Sequence, residues 1–296
     1  MKEKIFIILV NYNGSKDTLE CIESLKEIYY RNVEIIVVDN NSKKEEIDLL
    51  KEKEKDFILI ETNKNNGFAI GNNIGVKYAI DNGADYVLLL NNDTIVEKDF
   101  LNIMLETYKS NDNVGAVGCR IMYHSDRRLI WYNGGKIDYS KFSAFNIDEK
   151  KLDKDIVEQN IETDFITGCC ILIPKNTIKN IGYLSDEYFM YYEDVDYSLR
   201  IKERGLNLII NPKSKIYHKV SISSGGEDSP FRIFYSNRAR KIFMNKFGYK
   251  VSRGKFLRAK IYFIITRLLK IFKFILRKEN LQAKALWSVM LNRDYL

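Results

Sequence analysis

Short apolar runs alternate with amphipathic stretches along the first 121 residues. Lys4–Val10 (KIFIILV) is apolar after its first residue and reads as a buried parallel strand. Ser15 stands where an N-cap would open a helix reaching about Tyr29. Val33–Asp39 reads as a second strand, Lys43–Lys53 as a charged helix, Phe57–Thr62 as a third strand, Phe68–Asn82 as a helix and Tyr86–Leu90 as a fourth strand. A helix over 98–110 and a strand Val114–Ile121 continue the alternation. The pattern predicts an α/β fold, a mostly parallel doubly wound sheet with helices on both faces.

In such sheets ligands sit beyond the carboxyl ends of the strands. The polar residues there are Asn11–Tyr12–Asn13, Asp39–Asn40–Asn41, Asn63–Gly67 and Asn91–Asn92–Asp93. They form a set of hydrogen bonders. The first turn, NYNGSKD, holds one Gly in place of G-x-G-x-x-G, and no P-loop lysine pattern occurs, which argues against NAD enzymes and P-loop NTPases. Phosphates would then call for a cation, and Asp93 at a strand end suits Mg²⁺ or Mn²⁺ bridging a diphosphate, although an Asp also caps turns.

The chain has 296 residues, enough for one large domain with an appendage or for two domains. Its 45% hydrophobic and 29% charged residues are ordinary for a folded globular protein. Cys21, Cys119, Cys169 and Cys170 are scattered, with no disulfide or metal spacing. The N-terminal apolar run is too short for a signal peptide, and no stretch approaches the ~20 residues of a span. These features lead us to expect a cytoplasmic protein. Charge is uneven: Phe231–Lys278 carries fifteen Lys/Arg and no acid, so the remaining residues carry 7 − 15 = −8. Within it, Leu257, Ile261, Ile264, Leu268, Ile271, Phe272 and Ile275 recur at helical spacing, with Lys260, Arg267, Lys270, Lys273 and Arg277 on the other side. Such a helix fits an anionic membrane surface, or packs on the body with a solvated cationic face. Nucleic-acid reader motifs are absent, and no nucleic-acid partner is expected.

Several motifs occur in order: VNYNG from Val10, VDNNS from Val38, NNGFAIGNNIG from Asn65, NND from Asn91, TGCCILIP from Thr167, YYEDVD from Tyr191 and YHK from Tyr217. With these the sequence resembles the family 2 glycosyltransferases, in particular their rhamnosyltransferase-like branch, from about Ile5 to Lys246. The resemblance implies a GT-A fold over 1–248, with a nucleotide-binding half of about 1–122, an acceptor and catalytic half of about 123–248, and a basic helical tail over 249–296. It implies inverting transfer of a sugar (rhamnose-like, galactose or N-acetylhexosamine) from a UDP- or dTDP-linked donor. The acceptor would be lipid-linked or a polysaccharide, in cell-surface glycan synthesis, with the enzyme peripheral on the inner face of a bacterial cell membrane. A catalytically weak nucleotide-sugar-binding subunit, docked on membrane or partner proteins, is the alternative.

Position by position, the resemblance makes Asp39 the acceptor for the N3–H of uracil or thymine, because a carboxylate only accepts. Asn11 and Tyr12 line the same pocket, and Asn66 and Gly67 lie near ribose and base. Asn91–Asn92–Asp93 takes the D-x-D position, with Asp93 and His218 holding Mn²⁺ or Mg²⁺; Asn91 leaves that site one negative charge short. Asp194 is the catalytic base, with Glu193 beside it. Asp196 and Arg200 are spaced as an i,i+4 helix pair. Trp131, Tyr132, Gly134 and Gly135 lie in an insertion where an acceptor-facing flap would sit, and Trp131 and Gly168 are candidates for the acceptor site. Cys169 and Cys170 read as small buried residues, the acidic run 148–158 as a solvated loop or short helix, and Arg238 as a family position of unassigned role.

Overall fold

The computed structural model describes residues 2–155, 159–220 and 228–294. The elements open as β1 (Ile5–Asn11), α1 (Ser15–Lys26), β2 (Val33–Asp39), α2 (Lys44–Lys51), β3 (Ile58–Glu61), α3 (Gly67–Asp81), β4 (Tyr86–Leu90), β5 (Thr94–Val96), α4 (Phe100–Lys109) and β6 (Val114–Tyr123). They continue as β7 (Ile130–Tyr132), β8 (Gly135–Asp138), β9 (Ser143–Asn146), β10 (Ile161–Glu162), β11 (Cys170–Pro174), α5 (Lys175–Ile181), α6 (Glu193–Glu203) and β12 (Asn207–His218). Last come α7 (Pro230–Lys246), α8 (Arg253–Leu276) and α9 (Asn280–Met290).

Two compact units result. The first comprises Met1–Lys136, Phe145–Asp186 and Glu193–Val220; the second comprises Ile137–Ala144, Glu187–Tyr192 and Ser221–Leu296.

The first unit is built on a sheet in the order β10-β12-β6-β11-β4-β1-β2-β3. Strands β1, β2, β3, β4, β6 and β12 run one way; β11 runs antiparallel between β4 and β6, and short β5, β7 and β10 also run against their neighbours. The apolar runs of β1 and β4 are buried along almost their whole length, as strands covered on both faces require. Helices α1 and α3 pack on β1, and α4 and α6 on β12; close approach needs glycine: a Cβ on Gly75 of α3 would lie 2.6 Å from Ile8 Cγ2 of β1. Strand order reverses between β1 and β4, so the carboxyl ends of these two strands, Asn11 and Leu90, flank the switch point.

The insertion after β6 is held down by charge. Arg120, wholly buried, pairs with Asp153, which also takes Lys215; Asn133 bonds Arg120 through its Oδ1 and Asp148 through its Nδ2. Asp148 and Asp153 of the acidic run are thus drawn in as partners of the buried group, while Glu149, Lys150, Lys151 and Lys154 stay exposed and Asp153–Asp155 forms a short 3-10 helix; residues 156–158 of that run lie outside the described residues. Tyr132 is core, donating its hydroxyl to Phe165 O at 2.6 Å.

In the second unit Ile233 and Phe234 of α7, Ile271 and Phe274 of α8, and Ala283, Ala285, Leu286 and Val289 of α9 form one apolar cluster. Ser229 caps α7 by accepting from Arg232 N, with Pro230 at the first helical position. Arg238 pairs with Asp294 at an exposed edge. No described helix is long and apolar enough to cross a membrane.

Candidate active site

The polar strand ends of the first unit meet as one network. At the end of β1, Asn11 Nδ2 donates to Asp39 Oδ2 (2.7 Å), Ser42 Oγ (3.2 Å) and Ser15 Oγ (3.3 Å), while its Oδ1 accepts from Thr18 Oγ1 (2.9 Å). Asp39 Oδ2 also accepts from Ser42 Oγ (2.6 Å), and Oδ1 from Ser42 N (2.8 Å). Asn11 and Asp39 are both 0% exposed. The Asp39 carboxylate is thus enclosed by the loops it ties together, Oδ1 accepting from Ser42 N and Oδ2 from Asn11 and Ser42. Tyr12, by contrast, is half exposed.

Asn40, also buried, links this turn to α3: its Nδ2 donates to Gly67 O (2.8 Å) and its Oδ1 accepts from Asn66 N (3.4 Å). Gly67 has φ +77°, a left-handed conformation that favours glycine at the start of the helix.

Beyond β4, Asn92 Nδ2 donates to Thr18 Oγ1 (2.8 Å), joining the Asn91–Asp93 turn to α1. Asp93 Oδ1 lies 3.1 Å from His218 Nε2, and Asn91 Nδ2 lies 3.3 Å from the same nitrogen. Antiparallel pairing of β5 with β12 sets this meeting, since His218 is opposite Thr94. With a proton on Nε2 the imidazole donates to Asp93; with a lone pair there it can accept from Asn91 or bind a cation. Nδ1 is buried and has no partner among the described residues, so no hydrogen bond there fixes the tautomer. Trp131 packs edge-on to the imidazole, with centroids 4.6 Å apart at 76°. Burial pushes the Asp93 carboxyl up, but the His218 ring, its own backbone and Lys219 together hold it below its ordinary value. Lys219 N donates to Asp93 O, and its ammonium pairs with Asp17 and Glu20 of α1.

An oxygen and an imidazole nitrogen at that separation fit two adjacent ligands of a divalent cation, the remainder being left to diphosphate and water. Among the described residues no group of three or more His, Cys, Asp or Glu is placed to hold a metal unaided.

The second carboxylate group opens α6. Asp194 Oδ2 accepts from Gly168 N (2.9 Å) and Oδ1 from Val195 N (2.8 Å), and the residue is partly exposed. Burial raises its pKa against the pull of those backbone donors. Glu193 is buried with Oε2 unpartnered among the described residues; burial, and then the charge of Asp194, push its pKa well above the usual range. Asp196 bonds Arg200 Nε at 2.7 Å, a structural pair whose guanidinium also donates to Ile181 O and Tyr183 O. Immediately before α6, Tyr191 and Tyr192 have φ of +71° and +66°, a costly conformation for two consecutive bulky residues at the entry to the carboxylate pair.

Strand β11 brings the groups together. Asn91 N donates to Cys169 O (2.9 Å), and the preceding Gly168 N donates to the Asp194 carboxylate, so the Asn91–Asp93 turn is linked to that carboxylate through the Gly168–Cys169 segment. A Cβ on Gly168 would stand 2.9 Å from the Phe68 ring and 3.6 Å from Asp194 Cβ. Gly168→Ala is expected to cost about 1–3 kcal/mol and to displace Asp194, lowering kcat more than donor affinity; thermal melts and steady-state kinetics read the two effects. Cys169 and Cys170 are buried free thiols. Ser42, Thr18, Asn40 and Lys219 belong to the network as well, and their one sequence signal is their place inside or beside the strand-end motifs. A cleft of about 420 Å³, lined by Leu25, Lys26, Arg31, Val33, Phe57 and Ile58 among others, lies at the N-terminal ends of β2 and β3, away from these groups.

A mixed α/β sheet with this switch point, and polar groups gathered at its strand ends, is an architecture of the GT-A type. The chain belongs to glycosyl transferase family 2, which its residues 6–182 match, and it is a glycosyltransferase. Its relatives include the low-salt glycan biosynthesis hexosyltransferase Agl10 of Haloferax volcanii, 26% identical over 253 residues, covering 83% of this chain and 76% of the relative. The dTDP-rhamnosyl transferase RfbF of Shigella flexneri is 26% identical over 255 residues, covering 82% and 80%. A solved structure of GalNAc-T7 with UDP, GalNAc and Mn²⁺ has a TM-score of 0.64 at 15% identity over 81% of this chain. The chain spans about half of that structure's length (48%), and the likeness is one of fold.

Proposed function

We propose that the enzyme transfers a hexose unit from a UDP- or dTDP-linked donor to a lipid-linked or glycan acceptor, with inversion at the anomeric carbon. The observation that supports this is the short link through Gly168 and Cys169 between the Asn91–Asp93 turn and Asp194, which would put a diphosphate held at that turn beside a partly exposed carboxylate. Asp194 takes the acceptor hydroxyl's proton as that oxygen bonds to the anomeric carbon and the bond to the diphosphate breaks. A divalent cation, Mn²⁺ or Mg²⁺, on Asp93 and His218 would offset the negative charge of the leaving diphosphate. The relatives' names, a dTDP-rhamnosyl transferase among them, support a pyrimidine nucleotide donor. Tyr12, the half-exposed member of the first strand end, would meet the base, with Asn66 and Gly67 near the ribose; Trp131, next to His218, would face the sugar. A lipid-linked acceptor would suit the basic C-terminal stretch, which would bring the enzyme to the inner face of the cell membrane.

Asp39 allows a sharp test. Asp39→Ala takes from Ser42 N its carboxylate acceptor and removes one acceptor each from Asn11 Nδ2 and Ser42 Oγ, and should lower unfolding free energy by about 1–3 kcal/mol in urea titration. Unchanged stability with lost UDP or dTDP affinity would instead return Asp39 to direct reading of the base. The function itself is tested by nucleotide release from a panel of sugar nucleotides with a lipid-linked acceptor. Turnover with a UDP- or dTDP-sugar is expected; turnover with purine-linked donors alone would refute it.

A further inference from the structure

Helix α8 is turned so that its oily side faces outward. Ala259, Phe263, Ile271 and Phe274 are buried, and Arg267 points inward with them. The Arg267 guanidinium stacks on Phe263 (4.4 Å) and donates to Asn237 Oδ1 of α7 (2.8 Å); burial lowers its pKa to about 10. Along the opposite side, Ile261, Ile265, Leu268, Leu269, Phe272 and Leu276 are exposed, from 43% at Leu268 to 68% at Leu276. At 1.5 Å per residue the stripe from Ile261 to Leu276 runs about 22 Å along the helix, six exposed large apolar side chains in one row, and such rows mark interaction surfaces. A helix packed on the body with a solvated cationic face has the reverse arrangement.

We propose that this stripe is an interfacial anchor that lies flat on an anionic lipid surface. Charge selects the occupant. Lys255, Arg258, Lys273, Arg277 and Lys278 are exposed around the stripe and have no salt-bridge partner among the described residues. No acidic residue occurs between Phe231 and Lys278. Mating of two copies through α8 would bring cation against cation, whereas anionic headgroups over an acyl layer match both the charge and the apolar depth. The helix lies on the bilayer and does not cross it, since no described helix is apolar enough to span. This role is independent of the catalytic reading, and its test uses no turnover.

The test is flotation of the full chain with vesicles of phosphatidylcholine alone or mixed with phosphatidylglycerol. Binding should require phosphatidylglycerol and weaken with salt. Leu269→Glu or Phe272→Glu, at exposed positions, should reduce partitioning roughly tenfold, and Lys273→Glu roughly fivefold or more, with melting temperature unchanged. Equal binding to neutral vesicles, or binding indifferent to the Glu substitutions, would overturn the proposal. So would absence of vesicle binding, including the case in which sedimentation shows a dimer that Leu269→Glu dissociates, which would make the stripe a self-association surface.

Discussion

Replacing Asp194 with Asn should lower kcat by about 10²–10⁴-fold while leaving UDP or dTDP affinity nearly unchanged, and replacing Glu193 with Gln should lower it only a few-fold. The asymmetry follows from environment. Asp194 is held by Gly168 N and Val195 N and is partly exposed, so a hydroxyl can reach it. Glu193 is buried, and burial and the charge of Asp194 push its pKa well above the usual range, which disfavours the ionised form a base needs. Asp194 works only when ionised, and burial raises its pKa, so the acid limb of kcat/KM should lie above the ordinary Asp value of about 3.9. Glu193→Gln should leave that limb in place, because burial, not the charge of Glu193, raises the Asp194 pKa. Stability supplies an independent sign. A carboxyl whose pKa is raised in the folded state binds more protons there than when unfolded, so its contribution is full below the unfolded value of about 4.3 and is lost as pH rises through the folded one. Glu193→Gln should therefore be increasingly stabilising, relative to the unaltered protein, as pH rises from 4 to 8 in denaturant titrations. Loss of transfer in Glu193→Gln matching that of Asp194→Asn would contradict this assignment.

The second large effect concerns the cation. His218→Ala and Asp93→Asn should each abolish most of the Mn²⁺-dependent part of nucleotide binding, by at least the roughly 10–100-fold that loss of an outer-shell metal partner costs. Asn91→Asp should act in the other direction, since it restores a carboxylate 3.3 Å from the same imidazole nitrogen and adds a negative charge to the site. Titration of Mn²⁺ against the nucleotide-bound protein, followed by calorimetry or water-proton relaxation, reads all three without turnover. Unaltered Mn²⁺ affinity in both loss variants would remove Asp93 and His218 from the metal.

Much of this was open to sequence reading because the signals are local. The apolar runs at β1, β2 and β4 end in polar residues at the places where the structure ends the strands, and Val33–Asp39 and Tyr86–Leu90 match to the residue. The Asp196–Arg200 pair also follows from helical spacing alone. What stayed hidden is set by contacts distant in sequence. The antiparallel insertion of β11 between β4 and β6 joins residue 91 to residue 169, and nothing in either segment states its direction. The partners of Asp39, Asn11 and Ser42, do not follow from its motif position, because an exposed and an enclosed carboxylate are spelled alike. The period of α8 was plain, but apolar and basic residues both fit its inward side: Arg267 can lie along Phe263 and still reach Asn237, so hydrophobicity did not dictate which side met α7 and α9.

The central claim is that the strand ends around Asn11 and Asp93 bind a pyrimidine nucleoside diphosphate together with a divalent cation. Calorimetric titration of UDP and dTDP into the full chain, each with and without Mn²⁺, tests it most directly. The account predicts micromolar binding that depends on Mn²⁺, tighter for the base carried by the true donor. Absence of binding by either nucleotide in the presence of Mn²⁺ would contradict it.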